Sequence, residues 1–166
     1  GKTCASIGIA EGMKDNKQVI IMTPAALQMN YRSELKKCGD PLYKTNQYWE
    51  KIDTTQNKHI EKALSEVLGL SVADIQKTKG AWLVDTKKDS NYDTLSFDEQ
   101  KAIDKQINLM MEKKYKFINY NGIRESYLTS MIKLSQEKDG TSNPFDNKVI
   151  IVDEAHNFVS RIVNKI

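Results

Sequence analysis

Short unbroken apolar runs alternate along this chain with stretches in which apolar residues recur every three or four positions. Val19-Ile20-Ile21-Met22 is bounded by Gln18 and Thr23. Lys116-Phe117-Ile118-Asn119-Tyr120 ends at Asn121-Gly122, and Val149-Ile150-Ile151-Val152 follows the turn-rich stretch from Thr141 to Asn147. Compact β-branched runs with little alternation predict strands covered on both faces, as in a parallel sheet. Ala81-Trp82-Leu83-Val84 is a fourth, weaker strand.

The periodic stretches predict helices. Thr3 to Met13 is rich in Ala, Ile and Met and is expected to stop near Lys14-Asp15-Asn16. Thr23-Pro24 has the form of an N-cap and first helical position. Leu27, Tyr31 and Leu35 follow on one face, and Gly39 closes that helix. Ile60, Ala63, Leu64, Val67 and Leu68 form a stripe ahead of Gly69. Ser96-Phe97-Asp98-Glu99 matches a capping box and leads into Ile103, Ile107, Met110 and Met111. Arg124 to Leu134 carries Tyr127, Leu128, Met131 and Ile132. Strands alternating with helices predict an α/β domain with a mostly parallel sheet flanked by helices. Residues 40–114 include two polar, turn-rich stretches, Asp40 to Lys58 and Thr86 to Thr94. They look like a partly helical insertion or elaboration on that sheet.

Composition narrows the picture. With 166 residues, 39% hydrophobic and 28% charged, the chain can bury a core and is neither disordered nor fibrous. No apolar run approaches the roughly 20 residues a membrane span needs, so no membrane partner is expected. Two cysteines, Cys4 and Cys38, are too few for a disulfide scaffold and fit a reducing compartment. A net charge of +3 permits nucleic-acid binding without arguing for it. The chain starts Gly1-Lys2-Thr3 without an initiator Met and ends on a helix-like pattern at Val163-Asn164-Lys165-Ile166. It is expected to be an internal piece of a longer protein.

Two motifs carry chemistry. Gly1-Lys2-Thr3 matches the end of the phosphate-loop pattern GxxxxGK[ST], whose glycine admits phosphate to the backbone N–H groups. Its lysine neutralises phosphate charge and its hydroxyl ligates Mg²⁺. The tripeptide alone arises by chance in roughly one chain in ten of this size. Asp153-Glu154-Ala155-His156 arises in about one in a thousand, and it stands at the end of the strand Val149 to Val152. Ligands of open α/β sheets bind beyond the carboxyl ends of strands. An Asp there can hold Mg²⁺, and the Glu beside it can orient and deprotonate water.

Together these motifs resemble motifs I and II of superfamily 2 helicases and translocases, the DEAD/H-box-like ATPases. Thr23-Pro24-Ala25-Ala26-Leu27-Gln28-Met29-Asn30-Tyr31-Arg32-Ser33-Glu34 resembles motif Ia of the Swi/Snf-like branch, P-x-x-L-x-x-N-aromatic-x-x-E. Lys116 to Tyr120 resembles the motif Ib strand. Asp153 to Ile166, DEAHNFVSRIVNKI, is similar to helicases of large nucleocytoplasmic DNA viruses related to poxvirus early-transcription-factor and nucleoside-triphosphatase subunits. Residues 40–114 match no part of the pattern.

The resemblance implies a RecA-like P-loop NTPase lobe over residues 1–166, starting inside the phosphate loop and ending just after motif II. It implies ATP and Mg²⁺ as cofactors. Gly1, Lys2, Thr3, Asp153 and His156 would bind nucleotide, Thr3 and Asp153 would ligate the metal, and Lys2 and Glu154 would be catalytic. Thr23, Gln28, Asn30, Asn119 and Tyr120 would contact nucleic acid, DNA ahead of RNA. The other expected partners are a second RecA-like lobe and the transcription machinery, inside the host cytoplasm or nucleus or packaged in a virion. The implied activity is a nucleic-acid-dependent ATPase, silent without the second lobe. The alternatives are a P-loop ATPase uncoupled from nucleic acid and a non-catalytic scaffold.

Overall fold

The computed structural model describes residues 1–13 and 17–164. The expected helix stop at Lys14-Asp15-Asn16 and the terminal Lys165 and Ile166 lie outside the described residues. In chain order the elements are α1 (Lys2–Met13), β1 (Val19–Met22), α2 (Ala25–Cys38), β2 (Tyr48–Asp53), α3 (Ile60–Leu68), α4 (Val72–Lys77), β3 (Gly80–Asp85), α5 (Phe97–Lys114), β4 (Tyr115–Ile118), α6 (Glu125–Asp139), β5 (Val149–Val152) and α7 (Ala155–Val163). They divide into two compact units, Gly1–Glu34 with Tyr115–Ile166, and Leu35–Lys114.

The first unit is α/β, with a parallel three-stranded sheet in the order β4-β1-β5 flanked by helices, as in a RecA-like lobe. Val19 stands opposite Tyr115 and Val149, and Met22 opposite Ile118 and Val152. β1 is the middle strand and buried at every position, which is why its sequence is apolar without alternation. One side of the sheet packs Ile20, Met22, Ile118, Tyr120 and Met131 with Ile123, Phe145, Val152 and Phe158. By alternation Val19 and Ile21 take the other side. Pairing runs one residue past the strand ends, with Thr23 N–H donating to the Ile118 carbonyl (3.0 Å) and Asp153 N–H to the Met22 carbonyl (2.9 Å). Thr23, Asn119 and Asp153 therefore share the carboxyl edge of the sheet. α2 begins at Ala25, one residue later than the first helical position expected at Pro24.

The second unit is built on an antiparallel ribbon, β2 with β3, in which Tyr48 faces Asp85 and Asp53 faces Gly80. β2 lies inside the stretch expected to be turn-rich. Its sequence, Tyr48-Trp49-Glu50-Lys51-Ile52-Asp53, carries too many charges to stand out as a strand. The weak strand expected at Ala81 to Val84 is present and longer. Both outer edges of the ribbon are closed by side-chain amides. Asn91 accepts from Trp49 N–H (2.8 Å) and donates to its carbonyl (3.0 Å), and Gln106 does the same for Trp82 (2.8 Å each way). Trp49 and Trp82 are buried, so they pack and are not free to stack on bases. α5 begins at the expected capping box, with Glu99 accepting from Ser96 N–H (2.9 Å) and hydroxyl (2.7 Å). α4, capped by the pair Ser71 and Asp74, escaped the periodicity because it has six residues.

No helix among the described residues is long and apolar enough to cross a membrane. Neither cysteine is a free thiol, against the reduced state expected from their number.

Candidate active site

α1 starts directly on the Gly-Lys-Thr tripeptide, and its first helical bond runs from Ala5 N–H to the Gly1 carbonyl (3.0 Å). The N–H groups of Lys2 and Thr3 precede that bond and have no acceptor within the helix. They form the positive end of a 12-residue helix, which suits phosphate oxygens. Lys2 is exposed and Thr3 half-buried. α1 packs beside β5.

β5 delivers the acidic pair. Asp153 is half-buried, and its Oδ1 accepts from the Glu154 N–H at 3.1 Å. Glu154 then takes a left-handed conformation, φ 50° and ψ 49°, and caps α7. Side chains reach this region only at a cost of about 1–2 kcal/mol. The turn brings the chain off the sheet within two residues and leaves the Glu154 carboxylate in solvent. His156 Nδ1 lies 3.4 Å from Glu154 Oε2, an ion pair when the imidazole is protonated.

A pair of hydroxyls ties the Gly-Lys-Thr turn to α2. Ser6 Oγ donates to the Thr3 carbonyl (2.8 Å), which leaves its oxygen to accept from the Tyr31 hydroxyl at 2.5 Å. Burial pushes the Tyr31 phenol above its ordinary range, the bond to Ser6 opposes the shift, and the Asp153 carboxylate adds to it. Asp153 thus acts electrostatically on a group bonded to the turn that holds Thr3. Sequence patterns placed Tyr31 on a helix face with Leu27 and Leu35 and at the aromatic position of the motif Ia string, without pointing to this bond.

The expected nucleic-acid residues fare unevenly. Gln28 is half-buried and Asn30 exposed on α2. Asn119 is half-buried, and its side chain accepts from Asn121 N–H (3.1 Å) to close a turn. The other two, Thr23 and Tyr120, are buried. Thr23 is fully buried and its hydroxyl has no hydrogen-bond partner. Tyr120 is only 3% exposed, and its single hydroxyl proton is shared between the carbonyls of Asp153 (3.1 Å) and Glu154 (3.2 Å). These contacts brace the acidic turn.

Over 161 residues, 96% of its length, the chain is 28% identical to a protein of Acanthamoeba polyphaga mimivirus whose name reads "Putative ATP-dependent RNA helicase R563". It spans 20% of that protein's length. No family model and no solved structure matches it. The similarity supports a helicase-like relationship.

Proposed function

We propose that the first unit is the ATP-binding lobe of a nucleic-acid-dependent motor. The observation that carries this is the juxtaposition, in one unit, of a helix starting on Gly1-Lys2-Thr3 and packed beside a strand that leads into Asp153-Glu154. The donor set fits Mg·ATP. Hydroxyl and carboxylate oxygens are the hard ligands magnesium takes, and the positive end of a helix suits phosphates. Thr3 and Asp153 would hold the metal, which supplies neutralisation of the phosphate charge. Lys2 would bind the phosphates and Glu154 would accept the proton of the attacking water. His156 is close enough to Glu154 to orient it.

In this reading the chain is one lobe of a larger protein, which its 20% coverage of the mimivirus relative supports. A second RecA-like lobe completes the nucleotide site. The compact unit Leu35–Lys114 is an insertion within the lobe. Motif Ia and the string from Asp153 support the Swi/Snf-like branch, the kinship to poxvirus-type subunits and a role in viral transcription. The relative's name favours RNA as track over the DNA expected from sequence, and Gln28, Asn30 and Asn119 are the residues left to meet it.

ATP hydrolysis by the full-length protein, alone and with single- or double-stranded DNA and RNA, tests the proposal. Stimulation by one nucleic acid, lost in Lys2→Ala and Glu154→Gln, is the expected result. A second reading, an ATPase uncoupled from nucleic acid, draws on the burial of Thr23 and Tyr120, which removes two of the five expected contacts. Turnover indifferent to all four nucleic acids would replace the first reading with the second. A folded protein without turnover would leave only a scaffold.

A further inference from the structure

Tyr120 stands just past the end of β4, and Asp153 and Glu154 follow β5 on the far side of the central strand. The phenol reaches across β1 and places its hydroxyl between two consecutive carbonyls, 3.1 Å from Asp153 and 3.2 Å from Glu154. Those carbonyls flank the one residue of the acidic motif in the left-handed region. An L-residue remains there only when its surroundings over-determine the backbone. The ring is fixed in turn, 97% buried by its 3% exposure and packed edge-on against Phe158 of α7 at 5.5 Å.

From this geometry we infer that Tyr120 is a positioning residue for motif II: it holds the Glu154 backbone left-handed and thereby aims the Glu154 carboxylate. The inference rests on the proposed role of Glu154 as base. Tyr120 touches neither nucleotide nor metal in this scheme. Its hydroxyl bridges two carbonyls whose separation and tilt depend on the φ and ψ of Glu154. Relaxation of that residue to the right-handed region would swing the following peptide away from the phenol and redirect the side chain. A carboxylate displaced by about 1 Å loses on the order of a hundredfold in rate, so a modest loosening is visible in kcat.

The test is Tyr120→Phe in the full-length protein, which removes one oxygen and keeps the ring against Phe158. Two quantities are measured. Hydrogen exchange across residues 150–158 is expected to quicken, while β1 keeps its protection. The kcat for ATP is expected to fall roughly tenfold to a hundredfold, with KM and nucleotide affinity held within about twofold. In a Glu154→Gln background the same substitution should change turnover no further, because a positioner has nothing left to position. Unchanged exchange overturns the inference. So does quickened exchange with unchanged kcat, or a full additional loss in the double variant. Absence of ATP turnover in the unmodified protein, or full turnover in Glu154→Gln, defeats the proposed function and with it the catalytic half of this inference. The exchange measurement then still decides whether the phenol holds the turn.

Discussion

The Tyr31 hydroxyl lies 2.5 Å from Ser6 Oγ, and Ser6 in turn donates to the Thr3 carbonyl at 2.8 Å. A buried phenol on α2 is thereby coupled to the first turn of α1. Its pKa is raised above the usual 10.0, by burial first, with the Asp153 charge adding to the rise. A raised acid pKa means that the folded state keeps a proton the unfolded chain releases. The stabilisation is complete below pH 10 and declines as pH rises from there through the folded-state value. Tyr31→Phe should flatten the loss of β1 hydrogen-exchange protection as pH rises above 10. An identical alkaline decline in variant and parent would show that the phenol does not contribute.

Gln106 replaces a missing strand. Its amide satisfies both the N–H and the carbonyl of Trp82 in a buried setting, whereas Asn91 does the same for Trp49 where water has access. Gln106→Ala leaves two buried backbone groups unpaired and should cost about 2–4 kcal/mol. Asn91→Ala should cost about 1 kcal/mol. The protein's two tryptophans both lie in this second unit, so the urea midpoint read by tryptophan fluorescence isolates the effect. Equal costs for the two variants would contradict the assignment.

The central sheet was legible because β1 is covered on both faces and its neighbours pair with it in register. A run such as Val19-Ile20-Ile21-Met22 has few other uses. β2 was illegible for the opposite reason. Glu50, Lys51 and Asp53 face outward, and the partner that makes the segment a strand begins at Gly80. The site divides in the same way. Lys2, Thr3, Asp153 and Glu154 announce themselves by type and spacing. Thr23 and Tyr120 stand at the right strand ends, but type alone does not tell an inward side chain from an outward one. What settles Tyr120 is its partners, over thirty positions away in sequence and two strands away in the sheet.

Gly80 is irreplaceable where β3 begins. Its φ of 139° is a region L-residues rarely adopt, and an added Cβ would sit 2.0 Å from the Ile52 carbonyl oxygen on the paired strand. Gly80→Ala must both strain the backbone and push the ribbon apart at the Asp53 pairing. A loss of about 3 kcal/mol or more is expected, again read by tryptophan fluorescence. Gly140→Ala, at a helix end with open space around it, serves as the comparison and should leave the second unit's midpoint unchanged. A mild effect at Gly80 would mean that β2 and β3 can separate at that end without loss.

Acid should expose the capping box of α5. Hydrogen bonds from the Ser96 hydroxyl, then from its backbone N–H, hold the Glu99 carboxyl below its usual 4.5, with Lys51 contributing less. A folded-state pKa lower than the unfolded one gives stability that is present above the unfolded value and lost as pH falls through the folded value. Ser96→Ala removes the first of these bonds and raises the Glu99 pKa. The variant should be less stable than the parent at neutral pH, and the two should converge as pH falls through the parent's lowered folded-state value, below which Glu99 is protonated in both. The group is exposed, so the effect is small, and the diagnostic is its pH dependence. A difference that stays constant from pH 7 to pH 3 would assign it to the neutral cap bond from Glu99 N–H to Ser96 Oγ (3.4 Å), not to the carboxylate.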